Sequence, residues 1–154
     1  MLVFKQALTE KQIKRTQKLF IEYANYLGID LNFQNFKEEL KTLPGHYSPP
    51  EGCILLAYYE DKLVGCVAVR KFQDDVCEMK RLYIRPKYRR KNIGKGLSTA
   101  IIHKAKEIGY KYMRLDTLPF MKEAITLYLA LGFKEITPYR YNPFENAKFY
   151  ELKL

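Results

Sequence analysis

The stretch KYRRKNIGKGL, residues 87–97, gathers Lys87, Arg89, Arg90, Lys91 and Lys95 around Asn92, Gly94 and Gly96. Helical periodicity begins inside it, at Ile93, Leu97, Ala100, Ile101, Ala105 and Ile108, so the basic turn opens a helix. The first N–H groups of a helix lack intrahelical partners, and the aligned peptide dipoles put about half a positive charge at that end. Gly94 lets a ligand approach the backbone closely, and Asn92 suits a left-handed turn. With the mobile cations around it, this is a pattern for anion recognition, and phosphate is a fitting anion. A nucleic-acid groove and a solvated basic loop have the same local composition. The spacing matches neither the Walker loop nor the dinucleotide fingerprint.

Other chemistry-bearing residues are fewer. Cys53, Cys66 and Cys77 lie in strand-like apolar runs without C-x-x-C spacing, which predicts buried thiols rather than a disulfide scaffold or zinc site. Only two histidines are present to activate a cysteine nucleophile, and no metal site is expected. The net charge of +10 favours polyanions, acidic membranes or phosphorylated ligands through long-range steering. Thirteen tyrosines could add base stacking.

The elements that must position these residues follow from periodicity and punctuation. LVFKQAL predicts a first strand, and Thr9 caps a helix over 10–27 that Gly28 ends. A second helix is expected over 33–43, stopped by Pro44-Gly45, with PGHYSPPEG as a loop. CILLAYYEDKLVGCVAVRKF forms a hairpin around Glu60-Asp61-Lys62, and VCEMKRLYI forms the next strand. After the helix that Gly109 ends come a strand in YKYMRLDTL and a helix over 119–132. Two strands, FKEITPYRY and AKFYELKL, follow. A meander followed by strand-helix-strand-helix predicts one mixed α/β domain over residues 1–154. No apolar run reaches membrane-span length and the first residues lack a signal-peptide pattern, so a cytoplasmic location is expected.

At this point CEMKRLYIRPKYRRKNIGKGL resembles the acetyl-CoA-binding segment of the GNAT superfamily of N-acetyltransferases. That motif, Gln/Arg-x-x-Gly-x-Gly/Ala, opens a helix after the fourth strand. Arg89, Arg90, Lys91, Asn92, Ile93 and Gly94 fill it in order, with Asn92 where glycine is usual. AITLYLALGF, residues 124–133, resembles the family's Ala-x-x-Leu-Tyr-x-x-x-Gly-Phe segment. Met121 stands where many members carry an asparagine that touches the pantetheine arm.

The resemblance covers the whole chain and implies an α/β (α+β) single-domain fold. A mixed, mostly antiparallel central sheet would be flanked by about four helices. It implies acetyl transfer from acetyl-CoA to a primary amine by direct attack in a ternary complex, without a metal. Implied cofactor contacts are the backbone of Leu82, Tyr83 and Ile84, the turn from Arg89 through Lys95 and Gly96, Met121, and Tyr128. Tyr128 matches the residue that protonates the departing thiolate, although Leu127, Tyr128 and Leu131 also fit a core face. Glu78 lies eleven residues before Arg89, where the histone-acetylating branch carries its general base.

Simple alternation groups Glu78, Lys80, Leu82 and Ile84 on one face of their strand, with Met79, Arg81 and Tyr83 on the other. An acid in so apolar a strand would have a raised pKa. An ion pair with Lys80 or a cross-strand cation is the alternative, and water-mediated deprotonation is a third route. The resemblance places the acceptor among the early helices, the loop after them and the last hairpin, which singles out His46, Tyr47, Arg140, Tyr141 and Asn142. Arg81, Asp116 and Thr117 lie on strands that could face the same pocket, where an arginine would suit a carboxylate.

The expected acceptor is therefore a small or amino-acid-like amine, with a protein lysine or N-terminus as the nearest alternative. A basic nucleic-acid-binding module is the rival of another class. The compactness of the basic cluster favours the phosphates of CoA over nucleic acid. Neither nucleic acid nor membrane is an expected partner, and a homodimer is left open.

Overall fold

Thr9 fixes the start of the first long helix: its Oγ1 accepts from the Gln12 N–H at 3.2 Å, and Gln12 Oε1 accepts from the Thr9 N–H at 3.0 Å. This reciprocal box satisfies two orphan donors. The computed structural model describes residues 1–28, 30, 31 and 35–154. Strand β1 is Leu2–Gln6, helix α1 is Glu10–Leu27 and helix α2 is Phe36–Thr42. The expected start of α2 at Phe33 lies outside the described residues. Strands β2, Cys53–Tyr59, and β3, Lys62–Gln73, form the expected hairpin. Its turn residues Glu60 and Asp61 have φ of 48° and 64°, the mirror-image geometry that suits a two-residue hairpin loop.

Strand β4 is Val76–Ile84, helix α3 is Ile93–Ile108 and strand β5 is Tyr112–Thr117. Helix α4, Lys122–Ala130, and strands β6, Lys134–Ile136, and β7, Lys148–Lys153, complete the chain. The seven strands form one sheet in the order β1-β2-β3-β4-β5-β7-β6. Among the described residues only the β4–β5 pair is parallel. Each face of the sheet carries a core. Leu97, Ile101 and Tyr128 pack with Val67, Val69, Cys77 and Met79 on one side. Leu19, Phe20, Phe36 and Tyr47 pack with Cys66, Ala68 and Tyr83 on the other. Among the described residues no helix is long and apolar enough to cross a membrane.

Two expectations are corrected. FKEITPYRY becomes a strand only over Lys134–Ile136. Pro138 interrupts the ladder, and Tyr139 and Arg140 turn instead onto Glu78. The simple alternation along β4 also fails. Cys66 pairs with Tyr83 while Ala68 pairs with Lys80, so β4 carries one extra residue, and Arg81 takes a φ of 61°. This bulge reverses the facing of everything after it. Leu82 and Ile84 therefore join Met79 on the α3 side, while Tyr83 lies with the α1 core.

The close β3–β4 approach at the bulge depends on Gly65, whose added Cβ would sit 2.6 Å from the Tyr83 carbonyl oxygen. Gly65→Ala is expected to destabilise the fold by about 1–3 kcal/mol in urea unfolding, the usual cost of overpacking. An unchanged unfolding midpoint would contradict this register.

Candidate active site

The parallel ladder between β4 and β5 is short: Val76, Cys77 and Glu78 pair with Tyr112, Met113 and Arg114, and then the strands part. Met79, Lys80, Arg81 and Leu82 on one strand and Leu115, Asp116, Thr117 and Leu118 on the other line a cavity of about 50 Å³ in the gap. Tyr128 reaches it from α4, Tyr23 and Leu27 from α1, so the opening crosses the sheet. On the α3–α4 side lies a groove of about 810 Å³. Tyr23, Leu82 and Met121 line both spaces and mark their junction.

The groove runs past the start of α3. Asn92 takes the left-handed conformation the sequence suggests, with φ of 59°, and Arg90 does so as well at 64°. The Gly96 N–H donates to the Asn92 carbonyl, so the N–H groups of Ile93, Gly94 and Lys95 have no partner within the helix. Arg89, Arg90, Asn92, Ile93, Gly94 and Lys95 all line the groove. Arg89 is held in place: its Nε donates to the Ile84 carbonyl at 3.0 Å and its guanidinium lies 4.2 Å from the Tyr26 ring centroid. The concentration of amides and cations at one end makes this an anion cradle.

Leu82, Tyr83, Ile84 and Met121 also line the groove, in keeping with their expected contacts. Lys91 and Gly96 do not. Lys91 sits 5.2 Å over the Tyr59 ring, and Gly96 allows α3 to pass Phe4, whose ring would lie 2.7 Å from an added Cβ. In this structure the two residues take part in a surface cation–π contact and in close helix–strand packing.

Tyr128 is buried and stacks obliquely on Phe133, while its side chain lines the inner cavity. Burial raises its pKa well above the ordinary tyrosine value, with Tyr23 and Asp116 adding to the shift, so the hydroxyl keeps its proton. Asp116 lines the cavity as expected, and its Oδ2 accepts from Asn142 Nδ2 at 3.2 Å. Lys80 and Tyr23 also line the cavity, a placement that the sequence pattern did not single out. Burial, reinforced by Arg81 and Arg70, holds the Lys80 ammonium down to about 8 against the pull of Glu78 and Asp116. A lysine inside the apolar run VCEMKRLYI was the signal available for it.

Glu78 departs from the raised-pKa expectation. It is fully buried, and its Oε1 accepts from Arg70 Nε at 3.1 Å and from Arg140 Nη2 at 2.8 Å. Its Oε2 accepts from the Tyr139 hydroxyl at 2.8 Å. Burial pushes the carboxyl pKa up, but Lys80, Arg140, Arg70 and the Tyr139 bond outweigh it and hold it below the ordinary 4.5. The cross-strand ion-pair alternative describes this geometry, extended by a second arginine. Tyr139 is clasped edge-on between Phe72 and Phe149 at 5.0 and 5.2 Å. Glu78 thereby fastens the segment that carries Asn142 to the cavity.

Four expected acceptor residues are placed elsewhere or otherwise engaged. His46 is exposed, and Tyr47 is buried against Phe20 with its hydroxyl on Glu39. Arg140 is committed to Glu78. Arg81 lines the cavity, but its guanidinium makes a two-pronged pair with Glu39 at 3.0 and 3.2 Å and lies 5.3 Å from the Phe36 ring centroid.

Comparison with known proteins fits this geometry. The model of the acetyltransferase (GNAT) family matches residues 13–133. An uncharacterized N-acetyltransferase of Dictyostelium discoideum is 32% identical, covering 99% of this chain and 100% of that protein. One from Schizosaccharomyces pombe is 42% identical over 86% of this chain and 83% of its own length. Among solved structures, PaiA N-acetyltransferase of Thermoplasma acidophilum, in complex with coenzyme A, superposes with a TM-score of 0.77 at 19% identity, covering 100% of this chain and 99% of that one.

The Glu78 network makes a pH-dependent contribution to stability. Because the folded pKa is lowered, the contribution is present above about pH 4.5 and is lost as pH falls through the folded value. Glu78→Gln should cost about 1–3 kcal/mol at pH 7, since it leaves two half-buried arginines and the buried Lys80 short of a carboxylate. Urea unfolding at pH 7 and at pH 3.5 checks this: the gap between wild type and variant must narrow at the lower pH.

Proposed function

This chain belongs to the GNAT acetyltransferase family, and from that premise we propose that it moves the acetyl group of acetyl-CoA to the primary amine of a small, amino-acid-like metabolite. On this reading it works in the cytoplasm, an environment that suits its three free buried thiols. The observation that carries the proposal is the run of the groove, from the amide and arginine cradle at α3 to the parted strands and Tyr128. The neighbour solved with coenzyme A shares this fold, which supports the groove as the donor site.

Each end of the groove has a task. The amides of Ile93, Gly94 and Lys95 with Arg89 and Arg90 bind the diphosphate. The pantetheine arm follows Leu82 to Ile84, so that the thioester arrives where β4 no longer pairs with β5. There the parted strand edge offers backbone donors to the oxygen that gains negative charge. The acceptor amine attacks from the α1 side. The nitrogen–carbon bond forms, the carbon–sulfur bond breaks, the excess amine proton passes to solvent, and Tyr128 supports the departing thiolate. A tyrosine whose pKa lies above that of a thiol acts chiefly as a hydrogen-bond donor to the sulfur as charge develops.

Water serves as the proton outlet for the amine because the Glu78 oxygens are occupied by Arg70, Arg140 and Tyr139. Surrounding cations ease that loss, since positive neighbours disfavour an ammonium.

Acetyl-CoA should raise the melting temperature, since ligand binding to the native state stabilises it. No shift at saturating acetyl-CoA, together with salt-sensitive nucleic-acid binding, would replace the enzyme reading by the nucleic-acid one. Tyr128→Phe should lower kcat by roughly 100-fold, the scale for removing one hydrogen-bond donor to developing charge, with acetyl-CoA affinity within about threefold of wild type. An unchanged kcat, with chemistry limiting, would return Tyr128 to a packing role. A screen of free amines and peptides by CoA release separates small acceptors from proteins.

A further inference from the structure

The charges around the inner cavity do not cancel. Arg81 is matched by Glu39, and Arg70 and Arg140 share the one carboxylate of Glu78. Lys80 adds a fourth cation, felt by Glu78 and Asp116, while Asp116 supplies the third anion. In this connected set Arg70, Lys80, Arg81 and Arg140 outnumber Glu39, Glu78 and Asp116 by one; Lys80, Arg81 and Asp116 line the cavity itself, and Asp30, beside Leu31, is exposed and lies outside the set. The neighbouring Arg114 is itself matched by Glu151 at 2.8 Å. The positions outside the described residues, Ile29, Asn32, Phe33 and Gln34, carry no charge that could alter the sum.

Burial first, and Arg81 and Arg70 after it, depress the Lys80 ammonium, and an incoming anion would favour it. Lys80 forms part of the cavity wall, so an anion there meets it within the site rather than across solvent. Opposite charge is also provided for: Asp116, steadied by Asn142, lines the same space. Leu27, Leu31 and Leu118 give one part of the wall an apolar surface, while Arg81, Thr117, Tyr23 and Tyr128 line other parts. A volume of about 50 Å³ admits the few heavy atoms of one small head group, leaving the rest of an acceptor toward the leucines.

We propose that this cavity binds the carboxylate of the acceptor at Lys80, with an apolar side chain against Leu27, Leu31 and Leu118, and so selects free apolar α-amino acids. The inference rests on the acetyl-CoA reading above and gives its acceptor a chemical class. The carboxylate fixes the acceptor in the parted strands and neutralises the surplus charge, while its amine is left to meet the thioester. An amide or a decarboxylated amine has the same apolar part but leaves the surplus charge buried.

CoA release at saturating acetyl-CoA tests this with L-leucine, L-methionine and L-phenylalanine, each beside its amide and its decarboxylated amine. At least one acid should exceed both of its analogues by about tenfold in kcat/KM, chiefly through KM. In Lys80→Met that preference should fall below about twofold, with the acetyl-CoA thermal shift retained as the control for folding. Should the variant not fold, the wild-type comparison decides alone. Acids no better than their analogues overturn the inference, as does a preference that survives in the folded variant. So does an absence of turnover with all nine compounds in a protein that binds acetyl-CoA; acetylation of other amines would then leave the acetyltransferase reading intact. Failure to bind acetyl-CoA would remove both.

Discussion

The structure depends on the parting of β4 and β5. A parallel pair that stayed closed would bury its edge groups in a ladder and leave no passage through the sheet. Here the ladder ends at Glu78 and Arg114, and both strands continue for several residues without pairing to each other. The sheet survives the gap because β4 remains zipped to β3 and β5 to β7 along their other edges. Each side of the opening is therefore rigid, which a site assembled from facing strands requires.

The bulge at Arg81 and the ion cluster at Glu78 are two consequences of holding that gap open. The extra residue turns Leu82 and Ile84 toward the groove and sends Tyr83 to the opposite core. Arg81, with its positive φ, is locked by Glu39 of α2, so the strained point of the strand is tied to a helix. Glu78 sits at the last paired position, where it collects Arg70 from β3 and Tyr139 and Arg140 from the segment after β6. A buried carboxylate so fully engaged gives geometric definition rather than a proton-transfer group. Its energetic worth lies in what its loss would leave behind, namely two half-buried guanidinium groups with too few partners.

On the proposed reading, donor and acceptor chemistry are separated by the sheet itself. The anion cradle belongs to α3 and the groove on its side, whereas Tyr23 and Leu27 approach from α1 and Leu31 from the segment after it. Leu82 and Met121 stand at the crossing between them. A compact basic cluster thus serves one end of the site, while the surplus charge near Lys80 bears on the other.

The sequence by itself determined the local units. Thr9, Gly28, Gly109 and the period of Ile93 to Ile108 marked the helices, because caps and amphipathic stripes are written within one or two turns. Asn92 and Gly94 marked the anion cradle for the same reason: a helix start is a local object. What only the tertiary structure decided was every facing that depends on partners distant in the chain. The β4 bulge arises from pairing with β3, so alternation alone assigned Leu82 and Ile84 to the wrong face. Glu78 acquires Tyr139 and Arg140 from 61 and 62 residues away, and together with Lys80, the largest of the lowering influences, and Arg70 they turned an expected raised pKa into a lowered one. Lys80 came to line the cavity, and His46 and Tyr47 left the site, for that same reason. A side chain's charge and environment are set by which strands part and which loops fold back, and these are long-range contacts that no window of sequence contains.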